Sequence, residues 1–594
     1  MPHLSEKDLD QLCRDACEFI GFKSGSTVAY DTAGYDRVER IQVTPGSLKV
    51  KDITPEVLKP LPDEARFNAE PYPARIAGFQ RRNLFGPDEI GEQISKRSIV
   101  WNDGLGNGLY ESLRIDRKYG LKHVLEAPVL GFKLPYLSQD WPEFKTLYPR
   151  EVGRFLADLT ELEPVYGGPL ARSGDRLMVL WCQHYPLSLF AEAYLRDPSA
   201  TEGDLEKEIG CPDLPIRPRT RIERAILAKF MTIARRRQAA LTDYQAGVLR
   251  SAMGEGLKIA ANPHELPPLD MALQGQIYDY PAVAIRPLLL DDDLFLRHYI
   301  AYFTQFFRDL TARPPMVSVR MNLSAASPRF VPSANLIRHW YDQAVRHGAG
   351  GFYFWTRDYP YADTPGIYDG PMPGNPDPSV EGRERWQVVI DQLGLLAARQ
   401  RFEPPAAQVA ILVPDESALL LREDWRRIYA AFSALAEARV HAGFLSDRKI
   451  CATGVPAGVR LLLAPALEFV SPALRARLEE FTARGGSLLL ADINVSDQDG
   501  HPVPELRGAR PLPAGQLEVF PLGRMAQAAD LQNLAQILGR AVLDSGADSQ
   551  SWLFDVCCGN LPISQVSLLR PPQPGLRFDP WLYEHGSPWI VPYL

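Results

Sequence analysis

The feature that most constrains this chain is a repeated switch of hydrophobic period. Between residues 120 and 358, short apolar runs alternate with longer segments whose apolar residues recur every three to four positions. Strands alternating with helices in this way pair in parallel, because each crossover helix returns the chain to the same end of the sheet. Six strands are legible: GLKHVLEAPV, RLMVLWCQHYP, GLKIAANPHE, LQGQIYDYP, PMVSVRMNL and GGFYFWTRD. The helix feeding the last is predicted in detail. Ser333 is its N-cap, Leu336, Ile337, Trp340, Ala344 and Val345 form its apolar stripe, and Gly348 is its stop. The glycines that follow let the chain turn tightly into a buried strand.

Before residue 120, Pro and Gly are frequent and periodicity is weak; STVAYDT, ARIAGFQ and SIVWNDG read as strands. Any two would complete a count of eight, so the expected fold over residues 1–398 is a (β/α)8 TIM barrel, with 32–72 as an excursion. A chain of 594 residues exceeds the size at which one core keeps growing. After the polar linker ARQRFEPPAAQ, a second alternation spans 399–545: strand AQVAILVPD, helix REDWRRIYAAFSALAEA, strand RLLLAPALEFV, helix SPALRARLEEFTARGG and strand SLLLAD. It predicts a doubly wound, flavodoxin-like α/β domain. In its second helix Ser471 is a natural N-cap, Pro472 suits the first helical position, Leu474, Leu478 and Phe481 share a face, and Gly485 ends the turn. No GxGxxG follows the first strand, which argues against a dinucleotide cofactor. The remainder, 546–594, is rich in Pro, Trp and Tyr and reads as a small C-terminal cap.

Composition excludes several classes. A net charge of −8 provides no concentrated basic footprint for nucleic acid, and Arg235-Arg236-Arg237 reads as a solvated helix face. No apolar run approaches the length needed to cross a bilayer, and the start MPHLSEKDLDQL lacks a basic-then-apolar leader, so a cytoplasmic protein is expected. Seven cysteines show no repeated ligand spacing and read as reduced thiols; no metal is expected.

In a parallel barrel the chemistry sits at the carboxyl ends of the strands. The polar residues ending the legible runs are Asp103, Glu126, His184, Asn262 with His264 and Glu265, Asp279, Arg320 with Asn322, and Arg357 with Asp358. Trp101, Trp181, Tyr185, Tyr278, Tyr280 and Trp355 lie among them. Sugars present apolar C–H faces and hydroxyl edges, so aromatic plates interleaved with carboxylates, amides and arginine suit a carbohydrate. Charged groups at strand ends also pair simply with one another, and an aromatic in a strand is commonly core.

The segment WYDQAVRHGAGGFYFWTRD, followed by GIYDG and ERWQVVIDQLGLL, resembles the last barrel strand and closing helix of glycoside hydrolase family 42, the β-galactosidase group. IYDYPAV is similar to the family's sixth-strand motif, and the second alternating region resembles its trimerisation domain; the likeness covers about residues 115 to 545. It implies a carbohydrate substrate, no cofactor and a homotrimer. The family's acid/base glutamate, in an Asn-Glu pair ending strand four, has no counterpart in VLWCQHYP. Its nucleophile, a glutamate ending strand seven, is replaced in MVSVRMNLS by Arg320 and Asn322. Retention needs two carboxyl groups about 5 Å apart and inversion about 6.5–9.5 Å. One reading is therefore an atypical glycosidase drawing its pair from Glu126, Glu265, Asp279 and Asp358, with Asp279 foremost. The other is a sugar-binding pseudo-enzyme. A metal-dependent enzyme using His184 and His264 is a third, without any tight HxH or HExxH spacing.

Overall fold

The computed structural model describes residues 19–23, 125–127, 141–169, 177–180, 219–261, 275–285, 294, 297–320, 334–355, 404–414, 422–512, 514–520 and 527–555. They form an α/β protein with two parallel arrays. The first contains β1 (Phe19–Lys23), β2 (Leu125–Glu126), β3 (Leu177–Leu180), β4 (Lys258–Ala261), β5 (Ala282–Ile285), β6 (Met316–Arg320) and β7 (Gly351–Trp355). One sheet runs β2-β3-β4 and the other β1-β7-β6-β5, all parallel. A parallel bridge between Ala260 and Tyr280 joins β4 to the approach of β5. Seven strands thus follow one another in an arc β2-β3-β4-β5-β6-β7-β1, with crossover helices α1 (Trp141–Tyr166), α2 (Arg221–Met253), α3 (Tyr299–Thr311) and α4 (Ala334–Arg346).

Five of the six legible runs contain a strand; the sixth does not. In LQGQIYDYP, residues 275–277 make a helical turn, and the strand forms three residues beyond Asp279 in AVAI. Ala, Val and Ile are the β-branched and small apolar residues that suit a buried parallel strand, whereas the Tyr-Asp-Tyr-Pro approach carries a proline that cannot donate to a ladder. FIGFK, missed in the sequence, is β1. Of the three N-terminal strand expectations, STVAYDT, ARIAGFQ and SIVWNDG all lie outside the described residues.

The second array contains β8 (Val409–Val413), α5 (Arg422–Glu437), β9 (Ala442–Ser446), α6 (Asp447–Thr453), β10 (Leu461–Ala464), α7 (Pro472–Ala483), β11 (Ser487–Leu490), β12 (Ala509–Pro511) and α8 (Ala528–Ser545). Its strand order β9-β8-β10-β11-β12 is the 2-1-3-4-5 order of doubly wound flavodoxin-like sheets. Helix α7 starts and stops where its sequence directs. The Ser471 hydroxyl accepts from Leu474 N–H, Pro472 opens the helix, Leu474, Leu478 and Phe481 are buried in the core, and Gly485 takes φ +90°.

The arrays meet through α3. A surface helix buries one stripe, but α3 buries eleven of its thirteen residues. Its second side is covered by α5 and β9. Tyr302 lies edge-on to Tyr429 at 5.0 Å and Phe444 at 5.3 Å, and Phe306 to Phe444 at 5.2 Å. Polar side chains line the same seam. Asp309 accepts the Phe444 N–H at 2.8 Å and Gln305 Nε2–H at 2.6 Å, while Glu437 of α5 accepts from Arg297 and His298, each at 2.9 Å. The segment after α8 crosses the joint, with Ser549 O accepting from His441 N–H and Phe554 O from Arg346.

Candidate functional site

The end of β7 explains the glycine cluster before it. Helix α4 buries Trp340 and Ala344 and stops at Gly348, which takes φ +78° and donates its N–H to Val345 O. Two residues later Gly350 N–H bonds to Pro315 O, fixing where β7 begins against β6. A Cβ at Gly350 would lie 2.9 Å from Pro314 Cβ, so the two chain segments approach this closely only with glycine there.

That anchoring sets the register at the other end of the strands. Arg320, the last residue of β6, is paired with Trp355, the last of β7, and Trp355 with Lys23, the last of β1. The row one step earlier, Val319, Phe354 and Phe22, is apolar. Glu126 ends β2 opposite Val179. Because all these pairings are parallel, Glu126, Lys23, Arg320 and Trp355 terminate strands in one sense, and this is the end at which parallel barrels carry function. Lys23 was not anticipated. Its signal was present: a short apolar run, FIGF, closed by the turn-forming Ser24-Gly25-Ser26.

Asp279 lies before β5, level with Ile259 of β4 and one residue before Tyr280, which bridges to Ala260. Its N–H bonds to Ile259 O at 2.8 Å, and its Oδ2 accepts the Ile259 N–H at 2.9 Å, on the second residue of β4. Arg250, in the last turn of α2, donates to Ile277 O at 2.8 Å and reaches Asp279 Oδ2 at 3.4 Å; Lys258 Nζ stands 3.7 Å from Oδ1. The expectation that Asp279 ends a strand is thus corrected: it precedes β5 and ties the α2–β4 turn to the β5 approach. At about 3.3 Å per residue, six residues place it about 20 Å from the end of β5. Tyr278 beside it is buried, at 1% exposure.

Of the other expected site residues, Trp101, Asp103, Trp181, His184, Asn262, Glu265, Asn322, Arg357 and Asp358 lie outside the described residues. Among the described residues, one group could gather ligand atoms for a metal: Asp497, Asp499 and His501. Those atoms already serve the loop. Asp497 Oδ1 accepts the backbone N–H of both Asp499 and His501 at 2.9 Å, which holds its carboxyl below the usual range, and Asp499 pairs with Lys229. No described helix is long and apolar enough to cross a membrane.

No protein-family model and no curated protein matches this chain. Among solved structures, the β-galactosidase of the Antarctic haloarchaeon Halorubrum lacusprofundi is similar, with a TM-score of 0.50 and 14% identity over 70% of this chain and 73% of that one. Also similar are the β-galactosidase of Marinomonas ef1 (TM-score 0.46, 16% identity, 70% and 72% covered) and a catalytic mutant of a GH42 β-galactosidase from G. stearothermophilus (0.47, 16%, 67% and 65%). The fold is therefore like that of the Halorubrum lacusprofundi β-galactosidase. The likeness extends to architecture and says nothing of which side chains act.

Proposed function

We propose that this protein is an atypical glycoside hydrolase whose sugar site lies at the carboxyl ends of β1–β7, within a (β/α)8 barrel spanning residues 1–398. The observation carrying this is that Glu126 ends β2 in the same sense in which β6 and β7 end on Arg320 and Trp355. A carboxylate, a cation and an aromatic at strand ends are the groups that protonate a glycosidic oxygen, fix hydroxyls and stack on a ring. The catalytic pair is drawn from Glu126, Glu265 and Asp358. Asp279 leaves that pool, since its carboxylate is already engaged by the Ile259 N–H, Arg250 and Lys258. Trp355, Arg320, Arg357, Trp181, His184, Asn262, Asn322, Trp101 and Asp103 supply binding.

Glu126→Gln should lower hydrolysis in an aryl-glycoside and oligosaccharide screen by at least about a hundredfold while sugar affinity persists. Undiminished hydrolysis would remove Glu126 from the pair. A second reading, a sugar-binding pseudo-enzyme, is favoured by Arg320 standing at the end of β6, where the resembled family has its nucleophile. Sugar binding by a wild-type protein that turns over no glycoside selects it. We further propose that residues 399–545 assemble a cytoplasmic homotrimer and that 546–594 form a cap; light scattering that returns a monomer at micromolar concentration refutes the trimer.

A further inference from the structure

We propose that residues 547–555 form a latch over the joint between the arrays, one that lifts as a unit and uncovers the linker 404–408 while both arrays stay folded. The segment grips three parts of the joint. On the linker, Ala406 O accepts from Gln550 Nε2–H at 3.1 Å and Gln408 Oε1 accepts the Asp548 N–H at 3.0 Å. At the entry to β9, the His441 N–H bonds to Ser549 O at 2.8 Å. On the first array, Arg346 at the end of α4 donates to Phe554 O at 3.1 Å. The Phe554 ring centre lies 5.5 Å from the Arg346 guanidinium and 5.9 Å from that of Arg439, so one ring meets a cation from each array.

The grip is wide but shallow. Gln550, at its centre, holds φ +52°, a left-handed conformation that a residue bearing a Cβ adopts at a cost. The residue is 9% exposed, and its Oε1 has no hydrogen-bond partner. A buried acceptor left unpaired favours the state in which water can reach it. Of the large apolar side chains, Leu553 is buried, Phe554 half-buried and Trp552 52% exposed, so lifting the segment bares little apolar area. Hydrogen bonds to main-chain oxygens, which water replaces, supply much of the remaining hold. Segments held in this way open at the low end of a protein's stability range. Strand β8, which follows the linker, is the opposite case: all five of its residues are buried, and it is paired with β9 on one side and β10 on the other. The aromatic contact of Tyr302, Tyr429, Phe306 and Phe444 shares no residue with the latch, so it stays closed when the latch lifts.

The test is hydrogen–deuterium exchange of the full-length protein in zero to moderate urea, read by mass spectrometry with fragmentation to single amides. The amides of His441, Asp548, Gln550 and Leu553 should share one opening constant, at least about a hundredfold above that of β8 and independent of urea, since little surface is bared. Elastase, which takes small side chains, should cut at Ala406 or Ala407 in proportion to that opening. Phe554→Ala should raise both the opening constant and the cutting rate about tenfold and leave β8 protection unchanged. Gln550→Ala and Gln550→Gly both remove the bond to Ala406 O, but only glycine relieves the left-handed backbone. The alanine variant should therefore open about fivefold more often than the glycine one.

The wild type decides the proposal even where a variant fails to fold. If the four amides open with the constant and urea dependence of β8, the latch is overturned and the segment belongs to the core of the second array. Opening without cutting at residues 406–407 would overturn the uncovering of the linker. If Asp548, Gln550 and Leu553 open while His441 stays protected, the segment does not lift as a unit. Equal opening in the two Gln550 variants would overturn the strained backbone as its cause.

Discussion

The contact around α3 and the contact at the amino end of α2 join the arrays with different chemistry. Around α3 the contact has a buried aromatic centre, Tyr302, Phe306, Tyr429 and Phe444, edged by the hydrogen bonds of Asp309 and Glu437. At the amino end of α2 it is ionic: Arg224 grips both oxygens of Glu468 at 2.7 and 2.9 Å, and Arg221 reaches Asp492 at 2.7 Å. The exposures decide what each can contribute. Arg221 and Asp492 remain 35% and 50% exposed, so water screens most of their attraction, whereas interlocked rings at 5.0–5.5 Å add about 0.5–1.5 kcal/mol per pair beyond the area they remove from water. The aromatic seam therefore holds the arrays together, and the ionic one orients the long helix α2 against the loops after β10 and β11. With 33 residues at 1.5 Å each, α2 extends about 50 Å, enough to carry its amino end past the short strands to those loops.

The largest expected effect follows from emptying the aromatic seam. Phe444→Ala removes the ring shared by Tyr302, Phe306 and Phe432 and should destabilise the protein by about 3–5 kcal/mol. Thermal unfolding should split into two transitions as the arrays uncouple. One unchanged transition would show that the seam carries little of the joint.

Acid should open the same seam next. Burial holds His339 at about 3 and His441 at about 4, and pushes His298 and His347 down as well. The groups facing them are charged: Arg297, Arg308 and Arg346 add to the depression, while Asp309 and Glu437 oppose it. Burial pushes the Glu437 carboxyl up, yet the His298 hydrogen bond and the Arg297 charge hold it at about 2. In the unfolded chain histidine takes up protons near pH 6.5, so below that pH the unfolded state binds more protons and stability falls until the folded rings titrate. Glu437 acts in the same direction, its contribution being complete above about 4.5 and lost as the pH falls through 2. His441 alone should remove on the order of 3 kcal/mol by pH 4. Denaturant midpoints measured from pH 7.5 to 4 check this, and His441→Gln should flatten the slope; a midpoint independent of pH over that range would contradict the buried neutral rings.

The ionic contact predicts less. Arg224→Ala should reduce stability by about 1–2 kcal/mol in dilute buffer and by less in molar salt, because the pair is bidentate but only three-quarters shielded. A loss unaffected by salt would mean that the arginine stem, rather than its charge, makes the contact.

How much of this could be read beforehand depended on whether the cause was local. The caps and stripe of α7 and the stop of α4 at Gly348 follow from residues within one turn, and they are where the sequence puts them. The seam was illegible because Tyr302 lies far along the chain from Tyr429 and Phe444, and each reads as ordinary core. Asp279 was misread because a tyrosine-rich run looks like a strand, while the real strand, AVAI, is too short to show a period. The strand-end row was half legible: Arg320 and Trp355 end recognisable runs, but their partner Lys23 ends a five-residue strand in a stretch of weak pattern.

The smallest effect tests whether Asp279 takes part in the chemistry or only ties elements together. Asp279→Asn keeps an oxygen to accept the Ile259 N–H and loses only the attraction of Arg250 at 3.4 Å and Lys258 at 3.7 Å. Lys258 is 58% exposed, and both separations are long for strong pairs, so the loss should be about 1 kcal/mol or less. Asn cannot accept or donate a proton as a carboxyl group does, so any catalytic role would vanish with the substitution. Sugar affinity and any glycoside hydrolysis should therefore match wild type, with a melting temperature lower by a few degrees at most. Asp279→Leu removes the acceptor as well, leaves the Ile259 N–H unpaired, and should destabilise by about 1–3 kcal/mol. A graded loss of stability from Asn to Leu with constant activity identifies a clamp between α2, β4 and the approach to β5. A hundredfold fall in hydrolysis for Asp279→Asn at unchanged stability would instead return Asp279 to the catalytic pair.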